Sequence, residues 1–451
     1  LSMSTAGAKS KYDGSSVHEL MPLYYARLFP VQQMAKWLAY GNDGKHPQAN
    51  GSFFQRREFC FTLDGDIFVR YQSFKDGNEL HAALKDRVPA KIDIGPVYNV
   101  DPSKRSAYSG LGSDRVFNPV ERELVFDIDM TDYDDVRTCC SAGAICKSCW
   151  PLMSIAITII DRGLRDDFGF ENILWVFSGR RGVHCWVCDE SARMLTDAQR
   201  SGVASYFSIY KGQEQNGGLT KALVNLGSAP RLHPSMEAAL ETLEKAWREV
   251  YLPNQKILET EEGCEAILQY VPDEDVKYEV RSKWAKRPRK AQQNSTDVSV
   301  QRWDELVSEI DRHINSSSMK DKRLKSALGR SKLEILFAYL YPRLDVEVSK
   351  KMNHLLKAPF CVHPKTGKVC VPIDPAAAWD FDIDTVPTVS QLLQEVDDAA
   401  APGAKGEEWR KTSMCGAVEM FSDKFLDELT EANKSNLNAK AREAAAKPTL
   451  V

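Results

Sequence analysis

The chain has 451 residues, a formal net charge of −4 and 43% hydrophobic residues, which is ordinary for a globular protein and too long for one simple core, so two or three structural units are expected. The charge excludes a bulk polycation, so nucleic acid would have to be met by local basic patches, and no apolar run approaches the roughly 20 residues that cross a bilayer. Eleven cysteines behind an opening stretch (Leu1 to Gly7) without a signal peptide's apolar core point to reduced thiols or metal ligands rather than disulfides, and Leu1-Ser2 ahead of Met3 reads as a cloning remnant.

In chain order, residues 17–41 predict helix, with Leu20, Leu23, Tyr24, Leu28 and Phe29 on one face and a break at Pro30. Residues 43–52 are loop. Glu58–Leu63 and Ile67–Tyr71 around Asp64-Gly65 predict a hairpin, and Ile92–Tyr98 a further short strand or turn. Residues 122–130 predict an acidic strand, followed by a cysteine-rich loop. Residues 151–166 predict a helix buried through Leu152, Ile155, Ile159 and Ile160. Ile173–Phe177 and Val183–Val187 predict two strands around a tight basic turn. From about 190 to 330 the spacing is helical, as in Leu240, Leu243, Trp247 and Val250, with no convincing strands. Mixed texture returns from Ile335 to about Phe421. Residues 395–410 read as a flexible loop and the end from Asn433 as fraying. The expected layout is a first mixed part over 1–190, an all-helical subdomain over 191–330, a second mixed part over 331–430 and a flexible tail over 431–451, in the α/β (α+β) class.

The most informative segment is Leu124–Met130, an apolar strand carrying Asp127 and Asp129. Strand alternation points both carboxylates to one face, where they repel unless a cation lies between them. Mg²⁺ or Mn²⁺ and phosphoryl chemistry suit such a pair, while a solvated strand edge suits it equally on spacing alone. Asp345, an acid in the apolar, strand-like run Tyr341–Val346, is the best third ligand; Asp132, Asp134 and Asp135 read as solvated loop acids.

Further along, Ser178-Gly179-Arg180-Arg181-Gly182-Val183-His184 sets two arginines between glycines in a turn. Exposed backbone N–H groups and guanidinium forks suit a triphosphate; a solvated basic hairpin tip, with His184 a structural histidine, is the other reading. Lys350–Gly367 carries His354, Lys357 and His363, a second cationic set downstream of Asp345, although a lone His354 is more often a helix-surface histidine. Cys139, Cys140, Cys146 and Cys149 lie in a polar loop with a closing C-x₂-C, a pattern that can close a structural tetrahedral Zn²⁺ site. Cys185 and Cys188 match C-x-x-C, but on a strand they face opposite sides and read as packing residues. The cationic stretch Arg281–Lys290, with Trp284, fits a nucleic-acid backbone or a solvated linker equally.

Taken together, Leu23–Pro30, Glu123–Asp135, Trp175–Glu190, Tyr341–Leu344 and Pro359–Gly367 make the chain resemble the small, catalytic subunit of eukaryotic DNA primase across nearly its whole length. The resemblance implies the primase "prim" fold, a mixed α/β body interrupted by a helical subdomain. It implies metal-binding carboxylates at Asp127, Asp129 and Asp345 and phosphate contacts from Ser178, Arg180, Arg181, His184, Lys357 and His363. It also implies further active-site positions at Glu58 and Arg70, a position near the ribose at Asp93, and structural zinc on the four cysteines. The implied activity is RNA primer synthesis on single-stranded DNA from ribonucleoside triphosphates, by two-metal nucleotidyl transfer. The implied setting is the nucleus, with a large primase subunit and DNA polymerase alpha as partners. A single-chain primase–polymerase of lesion bypass and a non-catalytic zinc-bearing nucleic-acid scaffold are the alternatives.

Overall fold

The computed structural model describes residues 11–12, 14–42, 44–108, 116–216, 218–228, 231–286, 297–316, 319–399 and 407–446. The readings of the amino terminus over residues 1–10, of Arg287–Lys290, of 400–406 and of 447–451 lie outside them. Among the described residues the strands in chain order are β1 (Arg57–Leu63), β2 (Ile67–Gln72), β3 (Lys91–Tyr98), β4 (Pro119–Glu121), β5 (Leu124–Asp129), β6 (Ile173–Phe177), β7 (Gly182–Val187), β8 (Tyr210–Asn216), β9 (Leu219–Val224), β10 (Leu356–Lys357) and β11 (Pro372–Ile373). The chain divides into two compact units: Leu1–Asp127, Phe170–Ala204 and Asp345–Val451 make one, and Ile128–Gly169 with Ser205–Leu344 the other.

The first unit holds a five-stranded sheet in the order β10-β3-β1-β2, with β4 also on β3. β1 alternates cleanly. Phe59 and Phe61 pack on Phe74, so Glu58, Cys60 and Thr62 face the other way. That second face also receives Asp93 opposite Cys60, Lys91 opposite Thr62, Phe68 opposite Thr62 and Lys357 opposite Asp93. The β1–β2 register slips between Phe59 and Phe61, where Tyr71 takes φ +60°; this bulge aims Arg70 and the Tyr71 amide together at Glu58. A second sheet runs β11-β6-β7-β5. β6 and β7 pair antiparallel from Ile173↔Val187 to Phe177↔Val183 and are buried throughout, as their aromatic and β-branched content suggests. Cys185 and Cys188 are both buried, in keeping with packing residues.

Helices cover this body. Val17–Arg27 starts on a Ser16–Glu19 capping box, and Tyr24 donates to the Phe360 carbonyl at 2.7 Å. Trp37, on Val31–Ala39, meets Trp186 edge-on at 5.2 Å and also packs on Phe421 and Phe425. The carboxyl-terminal region departs from the frayed tail expected over 431–451. Asp427–Ala446 is helical, and Leu429, Asn433 and Leu437 are buried at a four-residue spacing, one apolar stripe too sparse to stand out from its Ala and Lys neighbours.

The second unit is mainly helical, around Pro151–Asp166, Pro234–Ala246, Val298–Asn315 and Lys322–Leu340. Trp247 stacks on Tyr251 at 4.9 Å and meets Trp303 and Tyr339. It is not all-helical. β8 and β9 form a hairpin inside the stretch read as strandless. Its strands carry Lys211, Gln213, Glu214 and Gln215 and bury little besides Ala222, so the apolar alternation that reveals a strand is missing. Asp134 and Asp135 are not simply solvated: they pair with Arg137 and with the buried Arg343. Of the basic stretch, Arg281 and Lys283 sit on Glu274–Ala285 and pair with Glu265 and Glu309. No helix among the described residues is long and apolar enough to cross a membrane.

The first unit encloses a charged knot. Glu123 is fully buried and accepts two bonds from Arg57 at 3.0 Å, one from Arg122 at 2.8 Å and one from Tyr40 at 2.7 Å. Burial alone would raise its pKa, yet the two guanidiniums hold its carboxyl far below the usual range. Glu123→Gln leaves two buried cations without their counter-charge, so urea unfolding should show a loss of about 3–5 kcal/mol.

Candidate active site

The two sheets and the segment after Asp345 bring most of the expected residues together. Asp127 lies on β5, with Asp129 two residues on along the same strand face. Asp345 is not on a strand as expected. It is the N-cap of the short helix Val346–Lys350, and its Oδ1 accepts the Glu347 amide at 3.1 Å. A polar N-cap in an apolar run gives the strand-like appearance seen in the sequence. Its own amide donates to the Asp127 carbonyl at 3.2 Å, and Ser349 Oγ donates to the Val125 carbonyl at 2.6 Å. His184 Nε2 is 3.6 Å from Asp127 Oδ1. Burial, then Lys357, pushes its imidazole down to about 3, so it is neutral at pH 7. Asp129 Oδ1 accepts the Thr131 amide and hydroxyl at 2.8 and 2.7 Å. Carboxylate oxygens are hard donors suited to Mg²⁺ or Mn²⁺.

The turn between β6 and β7 is held from behind. Ser178 accepts from the Gly182 amide through Oγ at 3.0 Å and returns its own amide to Gly182 O at 2.9 Å. Lys357 Nζ donates to the Ser178 carbonyl, and Thr366 Oγ1 donates to Gly179 O at 2.7 Å. Gly179 has φ +86°, and a Cβ there would come within 2.7 Å of His363 Cβ, so glycine is required on both counts. Burial first, then Lys357, Arg180, Arg181 and Lys365, push the His363 imidazole down to about 4. Four cations thus converge on one histidine.

Asp93 connects this cationic group to the first sheet. It pairs with Lys91 at 3.0 Å and lies opposite Lys357; burial raises its pKa against both lysines. Lys91 stands two residues before Asp93, and strand alternation was the signal that could have added it to the site. His354, in a turn rather than on a helix surface, is half-buried. Burial lowers its pKa while Asp345 and Asp93 pull it up. Glu58 is fully buried, and its two oxygens accept from Arg70, the Tyr71 amide and Tyr98. Gly95 permits this packing: a Cβ there would lie 3.1 Å from Glu58 Cβ.

A separate centre lies in the second unit. The Sγ atoms of Cys139, Cys140, Cys146 and Cys149 all fall within 4.8 Å of one another, with Cys146 and Cys149 at 4.0 Å, near the spacing of about 3.8 Å that four thiolates take around one tetrahedral ion. Gln255 donates to Cys139 at 3.5 Å and to the Ser148 carbonyl at 2.7 Å. Arg137 reaches Cys149 at 3.8 Å and braces the loop through Ala142 O and Ala144 O. These four thiols can hold a structural metal.

A family model described as DNA primase small subunit matches residues 126–375, which include Asp127, the basic turn and Asp345. The chain belongs to the DNA primase small-subunit family. Such subunits are the catalytic ones, and this member is a nucleotidyltransferase. The DNA primase small subunit of Drosophila melanogaster is 40% identical over 438 residues, covering 94% of each chain. That of Schizosaccharomyces pombe is 42% identical over 391 residues, covering 87% of this chain and 80% of its own. That of Saccharomyces cerevisiae is 34% identical over 378 residues, covering 84% and 85%. Among solved structures, a polymerase domain of Mycobacterium tuberculosis Ligase D in complex with DNA overlaps at a TM-score of 0.34 with 10% identity, covering 88% of this chain and 92% of its own, too loose a likeness to add anything.

The cationic set has a consequence for this primase subunit's stability. With His363 at about 4 when folded and about 6.5 when unfolded, the unfolded chain binds more protons between those values. Stability therefore falls as pH drops below about 6.5. His363→Gln removes this contribution, so the decline in urea midpoint from pH 7 to pH 5.5 should be shallower in the variant than in the wild type.

Proposed function

We propose that this chain synthesises RNA primers on single-stranded DNA from ribonucleoside triphosphates, with Asp127, Asp129 and Asp345 holding two divalent cations, Mg²⁺ or Mn²⁺. The observation that carries the reading is the Asp345 amide bonded to the Asp127 carbonyl at 3.2 Å, which sets the third acid beside the acidic strand. When bound, the cations would acidify the attacking ribose 3′-hydroxyl and offset charge on the triphosphate. Arg180 and Arg181 grip phosphate oxygens as forks, and Lys357 and His363 add positive charge from the opposite segment. Ser178 shapes the turn. Neutral His184 offers a ring N–H to a phosphate oxygen without competing with Asp127 for a proton. Asp93 accepts from a ribose hydroxyl. Glu58 acts as a positioning residue: with both oxygens engaged, it aims Arg70 at the sheet face.

The body is read as the prim fold. Zinc is the proposed occupant of the four-cysteine centre, since four soft thiolates leave no open position for catalysis. A large primase subunit and DNA polymerase alpha are the proposed partners, and the nucleus the proposed compartment. The relatives' names favour this setting over a single-chain lesion-bypass enzyme.

Asp127→Ala should abolish primer synthesis on a homopolymer template while the circular dichroism stays that of the wild type; appreciable synthesis by the variant would refute the assignment. Elemental analysis should find about one zinc per purified chain, and Cys146→Ser should lose it; an unchanged zinc content would remove the cysteines from the metal site.

A further inference from the structure

Phe68 is 62% exposed and its neighbour Ile67 59%, on the outermost strand of the sheet that carries Asp93. By register Phe68, Thr62 and Lys91 form one row across β2, β1 and β3, beside the row that ends in Asp93 and Lys357. Lys91 joins the rows: its Nζ lies 5.8 Å from the Phe68 ring centroid and 3.0 Å from Asp93 Oδ2. Beneath them Thr62 is 5% exposed, and its Oγ1 has no hydrogen-bond partner. A buried hydroxyl left unpaired is costly unless a ligand or water meets it. An exposed aromatic ring with a cation over it and an orphan hydroxyl beside it are together a surface for a flat, polar-edged ring.

We propose that Phe68, Thr62 and Lys91 form a shelf for the nucleobase of the ribonucleoside triphosphate bound in this site. The proposal rests on the functional reading above and adds the part of the substrate that reading leaves unplaced. A nucleotide is linear: phosphates, ribose, base. Lys357 and the basic turn mark the phosphate end and Asp93 the ribose. Across the sheet away from Lys357, Asp93 is followed in its own row by the buried Cys60, and the row alongside presents Lys91, Thr62 and Phe68. Adjacent strands are about 4.8 Å apart, so the shelf lies within reach of a base whose sugar meets Asp93. Every base has a stackable face, so the shelf is sequence-tolerant, as an enzyme that copies any template requires.

The test compares wild type, Phe68→Ala and Phe68→Tyr in the full chain with Mn²⁺, by calorimetric Kd for ATP and for inorganic tripolyphosphate and by KM and kcat for ATP on an oligo(dT) template. Phe68→Ala should raise the Kd and KM for ATP about tenfold, leave tripolyphosphate binding and kcat near wild type, and Phe68→Tyr should restore ATP binding. Unchanged ATP affinity in Phe68→Ala overturns the shelf, and so does an equal loss of tripolyphosphate, which would mark a general disturbance. A defect confined to the KM for template would assign Phe68 to DNA, and one seen only with a second subunit present would assign it to a protein partner; each overturns the proposal. With Asp127→Ala inactive, such results leave the active-site assignment standing. Failure of the wild type to bind either ligand would overturn both.

Discussion

The hydrogen bond from the Asp345 amide to the Asp127 carbonyl is the tie on which the site depends. The chain leaves the first unit after Asp127 and settles back into it only from Asp345, apart from the visit over Phe170–Ala204. Loop-closure entropy grows slowly with length, so a long excursion between the two is tolerated as long as its return is pinned. The pins are the Asp345 amide and the Ser349 hydroxyl, and both take backbone carbonyls of β5 rather than its carboxylates. Fixing the chain and presenting the acids are thus done by different atoms of the same strand.

Charge is sorted by the pleat. Arg57 and Glu58 are consecutive and both fully buried, yet they face opposite ways: Arg57 binds Glu123, and Glu58 binds Arg70. Each buried ion therefore meets its own counter-charge, the condition under which burial is tolerable. One network braces the entrance to β5, and the other holds Arg70 on the face that carries Asp93. Two slips of register, at Phe59–Phe61 against β2 and at Arg57–Phe59 against β3, set the angle between them.

Much of this was legible before any coordinates. The Asp-x-Asp strand, the Gly-Arg-Arg-Gly turn and the four cysteines are local patterns, visible within a few residues of sequence. The β6–β7 hairpin follows from two short runs rich in aromatic and β-branched residues around a glycine-bounded turn, and the helix over 151–166 from its helical period. What escaped was non-local or weakly patterned. Asp345 sits in an apolar run because its neighbours are buried, not because it is on a strand, and its N-cap role shows only with the turn in view. Among their described side chains β8 and β9 bury only Ala222, so alternation had nothing to mark. The helix ending at Ala446 shows only every fourth residue to the core. Asp135 looked solvated because its partner, Arg343, is more than two hundred residues away. Lys91 was in plain sight beside Asp93, but its meaning depends on Lys357 arriving from a strand of two residues that no pattern would announce.

The basic turn is more than a hairpin with two arginines. Gly179 is held against His363 by its positive φ and by the Thr366 hydroxyl, and the Ser178 carbonyl is held by Lys357. These ties hold the turn beside His363, whose protonation is disfavoured first by burial and then by the charges of Lys357, Arg180, Arg181 and Lys365. Like charges so gathered repel, and what keeps them together is backbone bonding and a glycine with no room for a side chain. Held this way, the turn presents its positive charge in a geometry that is already in place. A loose basic tip in solvent would spread its charges apart. The backbone of the turn here is tied at Ser178 and Gly179, and that separates it from an ordinary cationic loop.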